Sequence, residues 1–168
     1  MTLSKAVNEL MIERFENIWS SDVDVVCVTT NGTVINGRNI MGGGIAAEAK
    51  DLVKNQNSED LQLKYGASID AYGHTLRNLG QYYPLNKMLM AFPTKQRINT
   101  KADLYTIEES FTSLCYFSMI FPELKIGLPR PGCNLGGLDW DSQVKPLLLD
   151  LWPEHDRIQI FHYKQQGT

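Results

Sequence analysis

The sequence lacks most of the features that would assign it to a special class. It has three cysteines, Cys27, Cys115 and Cys133, odd in number, widely spaced and in no CxxC pair. That pattern argues against a disulfide frame and fits reduced, intracellular thiols. No uninterrupted apolar run approaches the roughly 18 residues that a bilayer span needs. The opening residues, MTLSKAVNELMIERF, interleave charged and apolar positions and have no apolar signal core, so a cytoplasmic protein with no membrane partner is expected. Lysine and arginine are scattered, and a net charge of −3 offers no extended surface for a nucleic acid duplex. The three histidines, His74, His155 and His162, lack metal-ligand spacing. The first two read as surface residues and His162 as part of the last strand, and no metal or cofactor is expected. Repeats, linkers and low-complexity segments are also missing. The 168 residues therefore read as one domain, 1–168, large enough to bury a core without disulfides or metals.

What is present concentrates in one stretch, Asp22 to Lys50, DVDVVCVTTNGTVINGRNIMGGGIAAEAK. Val23 to Thr29 is a β-rich apolar run. Asn31 to Met41 is a polar loop with two glycines, and Gly42-Gly43-Gly44 opens into the helix-forming IAAEAKDLVK. A strand leading through glycines into a helix is a standard way to hold a phosphate. The glycines admit the anion to the backbone, and the free N–H groups of the new helix point at it. The same glycines also make a plain tight connection, and the motif alone does not separate the two readings.

Along the rest of the chain, Met11 to Ile18 partly alternates and reads as a strand, Ser20 to Asp24 as a turn. Val25 to Val28 reads as a strand covered on both faces. Ile45 to Lys54 has helical spacing and is broken by the polar stretch Asn55 to Asp60. Leu61 to Gly80 is ambiguous; a helix is favoured over Ser68 to Leu79, although Gly73 interrupts it. Lys87 to Phe92 is a strand stopped by Pro93. Ala102 to Phe121 is the longest helical pattern, with Ile107, Phe111, Leu114 and Tyr116-Phe117 on an apolar face. Lys125 to Leu128 is a short strand closed by Pro129. Asp139 to Trp152 is helical with Pro146 inside, which requires a kink or a late start. Arg157 to Tyr163 alternates and ends the chain's strands. This alternation predicts an open, largely parallel α/β/α sandwich, with ligands bound beyond the carboxyl ends of the strands.

Three of those strand ends carry unusual chemistry. The first is the Asn31 to Gly44 loop. The second, Phe92-Pro93-Thr94-Lys95, ends a strand in proline and presents a lysine. The third, Leu128 to Trp140 (LPRPGCNLGGLDW), is a stiff turn, a second glycine-rich loop and an Asp suited to cap the next helix. Two glycine loops at one sheet edge can clasp a diphosphate from both sides.

With those segments in place, the chain resembles the macro domains that bind ADP-ribose. The resemblance rests on Val26-Cys27-Val28-Thr29-Thr30-Asn31, Met41-Gly42-Gly43-Gly44-Ile45-Ala46, Phe92-Pro93-Thr94-Lys95 and Pro131-Gly132-Cys133-Asn134-Leu135-Gly136-Gly137-Leu138-Asp139-Trp140. The last two look most like the branch holding the terminal ADP-ribose glycohydrolase and the antitoxin that strips ADP-ribose from DNA. The resemblance implies a three-layer α/β/α sandwich with a central mixed, largely parallel sheet. It implies ADP-ribose or an ADP-ribosylated protein or nucleic acid as partner. Asn31 would bond the distal ribose. Met41, Gly42, Gly43, Gly44 and Ile45 would face the diphosphate from one side, and Gly132, Cys133, Asn134, Leu135 and Gly136 from the other. Lys95 would be catalytic at the anomeric carbon of the distal ribose. Adenine would lie near Asn17 and Ile18, with Tyr163 as a stacking partner.

Several positions depart from that pattern. Many members have Gly-Asp-Ile where this chain has Glu16-Asn17-Ile18, so an amide replaces the carboxylate that reads the adenine amino group. Gly136 stands where the terminal glycohydrolase has a catalytic carboxylate; the DNA-directed antitoxins have glycine there too. Hydrolysis would then rest on Lys95, whose amine can trap an opened ribose aldehyde as a Schiff base or, protonated, stabilise a departing group. The Asn31 to Met41 loop is longer than usual. A non-catalytic ADP-ribose binder and a phosphatase acting on ADP-ribose 1″-phosphate are the competing expectations. Of the remaining residues, Cys133 reads as structural, Asp139 as a helix cap, and Trp140, Trp152 and the aromatics of Phe111 to Phe121 as core. Arg130, between two prolines, fits a phosphate contact or an exposed turn equally well.

Overall fold

In a strand, successive side chains leave on opposite faces, so the apolar run VVCV must serve two cores. The computed structural model, which describes residues 10–162, shows that division. Val25 and Cys27 join one buried cluster, and Val26 and Val28 join another. These residues lie in β2 (Val25–Asn31), near the middle of a six-stranded sheet. Its other strands are β1 (Ile12–Arg14), β5 (Arg77–Tyr82), β6 (Lys87–Lys95), β7 (Ile126–Pro129) and β8 (Ile158–Phe161), in the order β1-β8-β7-β2-β6-β5. All neighbours pair in parallel except β5, which runs antiparallel to β6 at one edge. Helices α1 (Gly44–Asn57) and α2 (Leu61–Tyr72) cover one face, burying Ala49, Val53, Leu61 and Tyr65 against Val26 and Leu89. Helices α3 (Leu104–Ile120) and α4 (Lys145–Leu151) cover the other, where Ile107, Phe111, Leu114 and Leu148 meet Phe92, Ile126 and Ile160. The result is an α/β/α sandwich with a mixed, mostly parallel sheet. Among the described residues no helix is long and apolar enough to cross a membrane.

The structure corrects several local readings. The helix expected over Ser68 to Leu79 lies earlier, as α2. Asp60 starts it by accepting from the Leu63 amide at 3.1 Å, and Gly73, at φ +84°, ends it. Residues 77–82 are instead edge strand β5, whose period-2 pattern is hidden by a register shift between Asn78 and Gly80. Pro93 does not stop β6. It lies past Ala91, the last residue paired to β5, where one edge of β6 has no partner needing an N–H. The Asn31 to Met41 loop contains a small hairpin, β3 (Val34–Ile35) and β4 (Arg38–Asn39), turned by Asn36 and Gly37 at φ 53° and 77°. Both central residues sit at positive φ, as a tight two-residue hairpin turn requires. Of the first expected strand, only Ile12–Arg14 pairs into the sheet. Pro146 brings the late start: residues 140–144 form a π turn, and α4 begins at Lys145 with the proline in its first turn. Trp140, Trp152 and Phe111 are core, but the far end of α3 is not, with Tyr116 65% and Phe121 40% exposed.

His74 and His155 are not plain surface residues. His155 contacts the Ser118 hydroxyl at 2.8 Å. His74 is half-buried behind the tip of β2, its Nε2 3.1 Å from the hydroxyl of Thr30, which also meets the Tyr65 hydroxyl at 3.3 Å. Burial disfavours the imidazolium and lowers the His74 pKa from 6.5 to about 4. The unfolded chain therefore takes up this proton first as pH falls. The stability tied to neutral His74 is complete above about pH 6.5 and is lost as pH drops towards 4. Urea melts at pH 7 and pH 5 should show wild type weakening at the lower pH, and His74→Gln should lose part of that slope. Equal slopes for the two proteins would contradict the burial argument.

Candidate functional site

The loops that leave the carboxyl ends of β2, β6 and β7 enclose a cleft of about 970 Å³. Its first rim is Met41 to Ile45. Gly43 is the residue before α1 and offers no side-chain cap. Among the described residues, the amides of Gly44, Ile45 and Ala46 have no partner within the protein, as expected for an uncapped helix start. Gly44 adopts φ +59°, which favours glycine, whereas a Cβ on Gly42 would meet nothing within 4 Å. Met41 is buried beneath this rim and anchors it in the α1 core.

The second rim is Gly132 to Gly136. The amides of Asn134, Leu135 and Gly136 have no partner among the described residues, while the Cys133 amide is already held by the Arg130 carbonyl at 3.3 Å. The N-terminus of the following helical segment is taken: Asp139 accepts from the amide and hydroxyl of Ser142 at 2.8 and 2.6 Å. This rim therefore offers loop amides and no open helix end. The two rims touch, because the Leu135 Cδ1 lies only 2.5 Å from where a Cβ on Gly43 would be. The Cys133 thiol faces the Pro131 carbonyl at 3.4 Å, and burial pushes its pKa up to about 12, as fits a structural cysteine.

Lys95 ends β6 directly opposite Asn31 in the β2–β6 ladder, and both line the cleft. The Lys95 Nζ donates to the Thr100 carbonyl at 3.1 Å. The Asn31 amide group bonds within its own loop, Nδ2 to the Ile40 carbonyl and Oδ1 from the Thr33 amide, each at 2.9 Å. Among the described residues, the second N–H of Asn31 Nδ2 has no partner. The segment after Lys95 bridges the rims: Gly32 donates to the Gln96 carbonyl at 3.2 Å, and Ala102 to the Gly136 carbonyl at 2.9 Å. At Gly136 there is no space for a side chain, since a Cβ would lie 2.6 Å from the Gly132 carbonyl oxygen and 2.8 Å from the Ala102 Cβ.

Other expected residues are less directly placed. Asn17 caps a short 3-10 turn (Ile18–Ser20) through a 2.9 Å bond from the Trp19 amide, and Ile18 is buried against Gly127. Neither lines the cleft. Tyr163 lies outside the described residues. Sequence reasoning missed a neighbouring group. His162 lines the cleft and meets exposed Phe15 edge-on at 5.2 Å. Arg130, far from being a free turn residue, is paired with Glu13 at 3.0 Å and lies 5.1 Å above the Trp140 ring. Glu13 also accepts from the Trp140 indole at 3.0 Å and from Lys145 at 2.9 Å. Nothing in the spacing of these residues along the chain pairs them; only β1 joining the sheet beside β8 does so.

No family model and no curated protein matches the chain. Solved structures do. The macrodomain of Mycobacterium tuberculosis DarG superposes with a TM-score of 0.67 at 19% identity, covering 92% of this chain and 99% of that one. The macrodomain of Thermus aquaticus DarG gives 0.65 at 18%, covering 92% and 98%. Thermosipho africanus DarTG, solved in complex with ADP-ribose, gives 0.64 at 20%, covering 86% of this chain and 39% of that one. The fold is that of a macrodomain.

In this fold the two glycine rims obey different constraints, which substitution can separate. Gly42 faces open space, so Gly42→Ala should leave the melting temperature within about 1 °C, because exposed substitutions away from special geometry are near neutral. Gly136→Asp overpacks the second rim and should cost about 1–3 kcal/mol. Thermal melts of both variants check this, and the opposite ranking would contradict the geometry.

Proposed function

We propose that this macrodomain binds ADP-ribose in the cleft and hydrolyses the bond between ADP-ribose and a modified protein or nucleic acid, with Lys95 acting at the distal ribose. The observation that carries the reading is the placement of Lys95 beside Asn31 in a cleft edged by two sets of unpartnered amides. A diphosphate between the rims would accept from Gly44, Ile45, Asn134, Leu135 and Gly136, needing no cluster of cations. This fits a chain whose net charge is −3. The distal ribose would then face Asn31 and Lys95. Adenine would point towards the Asn17-Ile18 turn and the Phe15–His162 pair. The DarTG structure that contains ADP-ribose supports the choice of ligand, and the place of Lys95 in the cleft supports the choice of reaction.

In chemical terms the Lys95 amine would attack the anomeric carbon as the target leaves with its bonding electrons and a proton. Ring opening gives an imine, and water releases ADP-ribose and restores the amine. Position 136 does not supply a carboxylate, so no acid or base is assigned there. That same observation favours the second reading, a domain that binds ADP-ribose and turns nothing over.

Calorimetry with ADP-ribose and release assays on a panel of ADP-ribosyl linkages test both. Wild type should bind and release, while Lys95→Ala should retain binding within about threefold yet lose at least ~100-fold in release rate, the scale of removing a covalent catalyst. Release unchanged in Lys95→Ala would remove Lys95 from the mechanism. Binding without release on every linkage would select the binder.

A further inference from the structure

The hairpin between β2 and α1 raises the question of what it does at the Lys95 end of the cleft. Its base is Thr33, and every polar group of that residue's backbone and hydroxyl is engaged. The Thr33 amide donates to Asn31 Oδ1 at 2.9 Å. Its carbonyl accepts from the Ile40 amide and from Asn39 Nδ2, both at 3.1 Å. Its hydroxyl oxygen accepts from the Ile98 amide at 2.8 Å. Ile98 belongs to the segment that follows Lys95 and supplies the Thr100 carbonyl holding the lysine amine. Asn39, fully buried, donates to the Asn31 carbonyl at 2.9 Å as well, closing the hairpin base. The hairpin itself is seated on α2, where a Cβ on Gly66 would fall 2.1 Å from the Gly37 carbonyl oxygen.

We infer that Thr33 is a positioning residue that fixes the distance between Asn31 and the Lys95 loop, so that the hairpin braces the sugar end of the cleft. One residue holds the Asn31 side chain through its amide and the lysine loop through its hydroxyl. Removing only the hydroxyl leaves the first bond intact and releases the second. Gly32 and Gln96 still join the loops at their root by one backbone bond of 3.2 Å, so the fold survives while the segment from Ile98 to Thr100 loosens. The inference rests on the proposed function for its consequence in turnover, but its geometric content stands apart from it.

The test compares Thr33→Val, which keeps shape and loses the acceptor, with Thr33→Ser, which restores it. Hydrogen exchange at the Ile98 amide should quicken about tenfold in Thr33→Val and return to the wild-type rate in Thr33→Ser. Labelling of the Lys95 amine by an amine-directed reagent, read by peptide mapping, should speed several-fold in the valine variant while Lys87 labelling stays unchanged. On a released linkage, kcat should fall about tenfold in Thr33→Val with KM nearly constant, and Thr33→Ser should recover it. Wild-type exchange and labelling rates in Thr33→Val would overturn the inference. Altered exchange and labelling with no turnover even in wild type would uphold the brace and reject the hydrolase reading alone.

Discussion

An unpaired backbone N–H is an unstable thing for a folded protein to keep. Left without water or a partner it costs about 1–3 kcal/mol, and chains normally spend such donors in helices, sheets or caps. This structure keeps two groups of them facing one cleft. The start of α1 has glycine where a capping side chain would close the helix end, and the Asn134–Gly136 turn leaves three amides unclaimed. Both groups line an open cleft, at the end of a sheet in which Val25–Val28 of β2 and all of β7 are buried. The rigid, apolar sheet thus fixes where the polar edge lies, as open α/β sheets generally do.

Holding those loops open requires ties that do not consume the donors themselves. The Lys95 segment supplies them, accepting from Gly32 on one side and donating to Gly136 on the other. Glu13 secures the two ends of the second loop by gathering Arg130, Trp140 and Lys145 around one carboxylate, which their positive charges and hydrogen bonds hold below the usual carboxylate range despite its burial. Arg130, at the cleft edge, is thus paired with Glu13.

The sequence carried the architecture because periodicity and glycine placement follow from backbone physics. Val25 to Val28 showed a strand covered on both faces, Pro146 a delayed helix, and Gly42-Gly43-Gly44 a helix start without a cap. Asp139 read as a cap and is one. The hairpin is legible only locally: Asn36-Gly37 between short β-prone pairs is a strong two-residue turn signature, but it lies inside an otherwise polar loop. The β5 strand escaped because Gly80 and a register shift broke its alternation. The Glu13 cluster had no linear signal, since residues far apart in sequence meet only when β1 joins the sheet edge. His74 was missed for a similar reason, because its burial depends on the tip of β2 lying over it.

The central claim is that both rims grip one diphosphate at once. The most direct test is a titration of ADP-ribose followed by backbone amide resonances. The account predicts that Gly44, Ile45, Asn134, Leu135 and Gly136 shift together along a single saturating isotherm. Shifts confined to one rim, or none at either, would contradict it.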